Sequence, residues 1–195
     1  MAITISGSGT ISGISAGGLP NGSVTAATLA TSAKPLFSSY ALLTDQKDGA
    51  TSGGGSTSNT WTKRTLNLKV VDSDNIVTLS NDEFTLGVGS YYIKFIVPNY
   101  SGNTTNSQLY HVDTASPIQT GVVNMTSYGN STYAGHQIGH NWARINIPSG
   151  TETFYIRNYV DTGKGTNGLG IKIPDDNADS AYYTTVEIYK EAEWH

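Results

Sequence analysis

The chain has 195 residues; Gly, Ser, Thr and Asn supply 83 of them and charged residues only 13%, about half the usual share of roughly 25%. That balance is wrong for a helical bundle or coiled coil, which needs Ala, Glu, Lys and Leu in quantity, and wrong for a tail held open by self-repulsion. The net charge of −4 and the scattered Lys and Arg residues give no footprint for nucleic acid, while the lack of Cys removes disulfides, thiolate metal sites and cysteine nucleophiles.

The chain opens Met1-Ala2-Ile3-Thr4-Ile5 with neither a basic region nor a long apolar run, so a secretory signal is not expected. No stretch approaches the ~20 apolar residues of a membrane span, and no membrane partner is expected. Residues 1 to about 35 hold no aromatic residue and one charge, Lys34. Within them Thr4-Ile5-Ser6-Gly7 recurs as Thr10-Ile11-Ser12-Gly13, and isolated apolar residues follow at Ile14, Leu19, Val24 and Leu29. Ile alternating with Ser or Thr reads as short strands. Three or four Ile side chains bury too little to offset the ordering of about 30 residues. The segment is therefore expected as an extended β-arm that docks on a partner or intertwines with copies of itself.

From Leu36 the pattern changes to strand-like runs separated by turn clusters. The expected strands are Leu66–Val71, Ile76–Leu79, Phe84–Leu86, Tyr91–Pro98, Gln108–Val112, Gly121–Asn124, Trp142–Ile147, Phe154–Val160, Leu169–Ile173 and Tyr182–Lys190. Tyr91, Ile93, Phe95 and Val97 fall on one face of their run, the period of a half-buried antiparallel strand. Asp72-Ser73-Asp74-Asn75, Asn99-Tyr100-Ser101-Gly102-Asn103 and Asp175-Asp176-Asn177 punctuate the runs. No window carries a 3.6 period. The fold class that follows is all-β, an antiparallel sandwich or jelly roll over residues 36–195.

Four motifs imitate chemical sites. Gly13-Ile14-Ser15-Ala16-Gly17 has the nucleophile-elbow spacing but lies in the Gly/Ser arm, with no strand-to-helix turn around it. Gly163-Lys164-Gly165-Thr166-Asn167-Gly168 has the dinucleotide spacing, yet Leu169-Gly170-Ile171-Lys172-Ile173 after it reads as a strand, so a hairpin loop is expected. His136 and His140 are spaced like a helical zinc pair, but Gln137 stands where the catalytic Glu belongs and Gly135 and Gly139 oppose a helix. Asp175, Asn177 and Asp179 copy half a calcium loop whose sixth and twelfth positions are Ser180 and Val186. No catalytic group, cofactor or metal site is assigned. The tyrosines, tryptophans and asparagines suit a sugar-binding surface and a subunit interface equally.

Further residues come in a recognisable order: Asp45-Gln46-Lys47, Gly53-Gly54-Gly55, Trp61, Arg64, Leu66-Asn67, Phe84-Thr85-Leu86, Gly89, Tyr91 or Tyr92, Ile93, Pro98, Tyr100 and Leu109-Tyr110. Phe154, Ile156 and Asn167-Gly168-Leu169-Gly170 follow, and Tyr183-Thr184-Thr185-Val186-Glu187-Ile188-Tyr189-Lys190-Glu191 closes the series. From about Asp45 to Glu191 the chain thus resembles a head domain of bacteriophage fibre and virion-surface proteins. That head is similar in plan to the trimeric jelly roll of tumour necrosis factor and complement globular heads.

The resemblance implies a homotrimer on a tailed-phage virion surface, made in the bacterial host cytoplasm and without enzymatic activity. With no long repetitive shaft in the sequence, it implies a short projection whose arm docks on other virion proteins, the major capsid protein first, as a cement or decoration protein. Ile3, Ile5, Ile11, Ile14 and Leu19 are the expected anchors of that arm. The alternative is a receptor-binding tail-fibre tip, an adhesin for a host surface glycan.

Overall fold

The computed structural model describes residues 35–120, 124–125, 135–172 and 180–192. These form β1 (Phe37–Lys47), β2 (Thr60–Lys63), β3 (Leu68–Asp72), β4 (Val77–Ser80), β5 (Glu83–Leu86) and β6 (Gly89–Tyr100). β7 (Thr104–His111), β8 (Ser116–Thr120), β9 (Asn124–Met125), β10 (His136–Ile147), β11 (Glu152–Val160) and β12 (Ala181–Glu191) follow. No helix occurs among the described residues.

The strands build two sheets. One runs β10-β6-β12-β1-β3; the other runs β4-β5-β11-β7-β8, with β2 also paired to β11 and β9 to β7. Every recorded pairing is antiparallel. The expected all-β jelly-roll sandwich is what forms, and its cause is visible in β6. Tyr91, Ile93, Phe95 and Val97 are buried while Tyr92, Lys94, Ile96 and Pro98 point the other way, the alternation that a pleated strand with one wet face imposes. The inner faces meet in a core that includes Leu43, Phe84, Leu86, Ile93, Phe95, Leu109, Phe154, Ile156 and Ile188, with Phe84 and Phe154 stacked at 5.8 Å.

Turn chemistry sets the corners. Between β3 and β4 the Asp72 carboxylate accepts from the Ile76 amide at 2.8 Å, and Asn75 takes a φ of 53°, a conformation Asn tolerates. Ser101 and Asn103 do the same between β6 and β7.

Of the expected strands, Gly121–Asn124 falls outside the described residues except for Asn124, and Leu169–Ile173 does not form over its described part, residues 169–172. Residues 165–169 form turns and 170–172 no regular structure, because the Leu169 backbone is committed elsewhere. Its amide donates to the Gly54 carbonyl at 3.0 Å, and its carbonyl accepts from Arg64 Nη2 at 2.6 Å. The two Gly-rich loops are thus one construction: Gly53 donates to Gly170 and Ser56 to Lys164, each at 2.9 Å. A Cβ on Gly55 would stand 2.2 Å from the Gly165 carbonyl oxygen.

Arg64 pins this corner from inside. It is fully buried, and beyond Leu169 it donates through Nε to Thr184 Oγ1 at 2.8 Å and through Nη1 to Asn158 Oδ1 at 3.3 Å. Burial pushes its pKa down to about 9 while Asp45 pulls it back, so the guanidinium stays charged at neutral pH. Burial also raises the Asp45 carboxyl above its ordinary value, against the pull of Lys47 at 3.0 Å and of Arg64.

Candidate functional site

A sheet in a sandwich spends one face on the core, so what the other face carries is informative. In the first sheet the outward residues lie in cross-strand rows. Tyr40, Tyr189, Tyr92 and Arg144 form one row; Leu42, Glu187, Lys94 and Trp142 form the next. Thr185, Ile96 and His140 make a third, and Pro98 pairs with Ile138 beyond it. On the edge strand β10, Ile138 and Trp142 are 54% and 56% exposed, large apolar side chains that continue the outward rows and mark surface left for something else to cover.

The first row is a tyrosine ladder. Tyr189 lies 5.0 Å from Tyr40 and 6.2 Å from Tyr92, and Phe37 adds a ring 5.0 Å from Tyr189. Two clefts of about 310 and 350 Å³ flank Phe37, one toward Tyr40 and Val71 and the other toward Tyr92 and Arg144. The Tyr189 hydroxyl donates to the Glu187 carboxylate, which with burial raises its pKa to about 12. Lys94 also reaches Glu187 at 3.4 Å, and Arg144 reaches Glu191 at 2.6 Å. Charges on this face are therefore paired within it, and what it offers a partner is largely aromatic and aliphatic surface.

The sequence motifs fare differently. Ile3, Ile5, Ile11, Ile14 and Leu19, the serine motif at 13–17 and the Asp175, Asn177, Asp179 triplet all lie outside the described residues. His136 and His140 are on strand β10, where four residues of extended backbone span about 13 Å in place of the single helical turn the zinc spacing needs. The Gly163–Gly168 motif is a loop, but one packed on the Gly53–Gly55 segment and not the turn of a hairpin. Among the described residues no cluster of three or more His, Asp or Glu side chains is placed to hold a metal ion. No helix among them is long and apolar enough to cross a membrane. The outward face of the first sheet went unnoticed in the sequence, although Tyr92, Lys94, Ile96 and Pro98 were in plain view as the complement of the core stripe.

An antiparallel jelly roll with an uncovered aromatic face is the class of protein that fold and surface define. Residues 88–195 match the family model of the CS6 fimbrial subunits A and B (CssAB, Coli surface antigen 6), over half of the chain, and the chain belongs to that family. No curated protein matches the sequence. Among solved structures it is similar to murine APRIL at pH 5.0, at 10% identity with a TM-score of 0.51 over 78% of this chain and 98% of that one. The globular domain of zebrafish complement 1qA aligns at 12% identity with a TM-score of 0.49, over 78% of this chain and 97% of that one. Identities this low speak to fold alone. The jelly-roll plan expected from the resemblance is confirmed, whereas the matched family is one of fimbrial subunits and not of virion proteins.

Proposed function

We propose that the chain is a non-enzymatic structural subunit of a surface projection, a homotrimer whose heads meet through the outer face of the first sheet. The observation that carries the reading is the run of exposed apolar side chains on that face, Trp142 and Ile138 above all, beside the tyrosine ladder. Covering a residue such as Trp142 returns about 25 cal/mol for each Å² removed from water, and aromatic residues are the ones enriched where subunits meet.

In its finer form the reading divides the chain into an arm, residues 1–35, and a head, residues 36–195, on the surface of a tailed-phage virion. The arm docks on the capsid as in a cement or decoration protein. Ile3, Ile5, Ile11, Ile14 and Leu19 add to strand edges of the major capsid protein, where backbone hydrogen bonds hold without any catalytic group. Three arms on one trimer act together, so weak single contacts give firm attachment. A second reading, the adhesive tip of a projection binding a host surface glycan, is favoured by the match to fimbrial subunits.

Light scattering on the purified chain and on Trp142→Glu tests the common part. The parent should have three times the chain mass and the variant one, at unchanged circular dichroism; a monomeric parent refutes the trimer. Incubating parent and an Ile5→Asp, Ile11→Asp double variant with stripped particles then separates the finer readings. Regular lattice occupancy by the parent alone means decoration. Binding to cells and not to particles means an adhesive tip, and equal occupancy by both chains removes the arm as anchor.

A further inference from the structure

The outer face of the second sheet carries a different surface, centred on β11. Phe154, Ile156, Asn158 and Val160 point into the sandwich, which sends Tyr155, Arg157 and Tyr159 outward. Arg157 is directly opposite Gln108 on β7 and Lys63 on β2, and Tyr159 is opposite Trp61. The guanidinium is held between two rings, 3.9 Å from the centre of Tyr110 and 4.7 Å from that of Trp61, and its Nε donates to Gln108 Oε1 at 2.9 Å. Lys63 lies over Tyr155 at 5.2 Å, Tyr155 is 4.9 Å from Tyr110, and Trp61 is 5.6 Å from Tyr159. The result is a platform of two ring pairs, Tyr110 with Tyr155 and Trp61 with Tyr159, joined by the Arg157 guanidinium and flanked by Lys63.

The charges on it do not balance. Like charges directly opposite on neighbouring strands destabilise a sheet. Lys63 is compensated, since its Nζ is 2.9 Å from Glu83 and also donates to the Asn81 carbonyl at 2.6 Å. Arg157 makes no ion pair among the described residues, although the chain has 15 acidic residues against 11 basic ones. A cation set opposite a like charge and left without a counter-ion breaks a local rule, as residues at binding sites do. With two rings against the guanidinium and Nε committed, the donors left are on the two Nη nitrogens, a pair suited to one carboxylate.

We propose that this platform binds a carboxylate-bearing glycan, the acid on Arg157 and the neighbouring pyranose rings on Trp61, Tyr159 and Tyr155. Aromatic faces accept the apolar C–H side of a pyranose, and the exposed Asn59, whose Oδ1 accepts from the Tyr159 hydroxyl, adds an amide at the edge of the platform for a sugar hydroxyl. The proposal rests on the adhesive reading for its biological meaning and names the ligand class of that reading. It leaves the first sheet free for subunit contacts, because the two faces point to opposite sides of the sandwich.

The test is isothermal titration of the full chain with a galacturonate hexamer and with the methyl ester of the same hexamer, which keeps the rings and removes the charge. The acid should bind at least tenfold more tightly than the ester and lose that advantage as salt is raised. Arg157→Gln should bring the two ligands to equal affinity, and Arg157→Lys should keep part of the preference because charge survives and the planar fork does not. Trp61→Ala should weaken both ligands, and unchanged melting temperatures show that each variant is folded. Equal binding of acid and ester by the parent, binding of neither, or an unaltered preference in Arg157→Gln overturns the proposal. Sedimentation of labelled protein with bacterial cells separates this failure from that of the adhesive reading. Cells bound equally by parent and Arg157→Gln leave adhesion standing without this site. Acid-selective binding by a protein that ignores cells leaves the site standing without adhesion.

Discussion

Replacing Arg64 with Leu removes three donors at once and leaves Thr184 Oγ1, Asn158 Oδ1 and the Leu169 carbonyl to find other partners in the interior. A buried acceptor stripped of its donor costs about 1–3 kcal/mol, so three give roughly 3–9 kcal/mol. Against this, exchanging a buried charge for a packed apolar side chain returns about 1–4 kcal/mol. The net expectation is a loss of about 2–5 kcal/mol. In a domain of this size each kcal/mol moves the melting temperature by about 2–4 °C, so Arg64→Leu should melt roughly 5–15 °C below the parent by circular dichroism. Amide exchange should quicken first in residues 53–56 and 164–170, because the Leu169 carbonyl is the tie between Arg64 and both Gly-rich loops. Arg64→Lys should fall between the two, since an ammonium keeps the charge but not the three-way fork. If Arg64→Leu melts within about 2 °C of the parent, desolvation of the cation cancels all three bonds and Arg64 does not hold the corner.

Asp45→Asn reports on the buried carboxylate whose charge acts on Arg64. Burial raises the Asp45 carboxyl above its unfolded value, so its contribution to stability is fully present below the unfolded pKa and is lost as pH rises through the folded one. The Asn variant should therefore melt at or above the parent at pH 7, with the gap closing as pH falls toward 4; a gap that widens on acidification contradicts the sign. Gly55→Ala drives a Cβ to 2.2 Å from the Gly165 carbonyl oxygen and should cost about 1–3 kcal/mol, the range for overpacking. Gly165→Ala, whose Cβ would meet nothing within 4 Å, is the control and should melt near the parent; equal losses in both would show that backbone freedom, not the close approach, is what Gly55 supplies.

How much of this was legible follows from how each feature is encoded. The β6 stripe was plain because a large apolar residue stands at every second position over four repeats, Tyr91, Ile93, Phe95 and Val97. β1 was missed because its buried positions are small or polar, Ala41, Thr44 and Asp45 beside Leu43, and because Leu42 breaks the alternation by facing out beside Val71. The Leu169–Ile173 run was misread for the opposite reason: its apolar residues alternate locally, but hydrogen bonds to Gly54 and Arg64 reach across more than 100 positions and use the backbone that a strand would need. Gly53–Gly55 and Gly163–Gly168 were each noticed, and nothing local says that they pack on one another. The Arg157 platform was equally invisible, because its members come from β2, β7 and β11 and only register brings them together.

That asymmetry bears on where function can lie in this fold. A likeness at 10% identity that still aligns 78% of the chain means that the fold is shared while most residue identities are not, and a core accepts hydrophobic substitution where volume and periodicity are kept. The outward residues are under no such constraint from folding. Tyr189 and Tyr92 could be Thr, and Arg157 could be Ser, without disturbing the alternation that makes β12, β6 and β11 strands. An aromatic ladder on one outer face and a cation clasped between rings on the other are therefore not by-products of building the sandwich. Each sets apolar or charged groups side by side where a soluble sheet would ordinarily present small polar ones. The two faces differ in kind, one with its charges paired internally and the other with an arginine left over, which is the difference expected between a surface that meets its own copy and one that meets an anion.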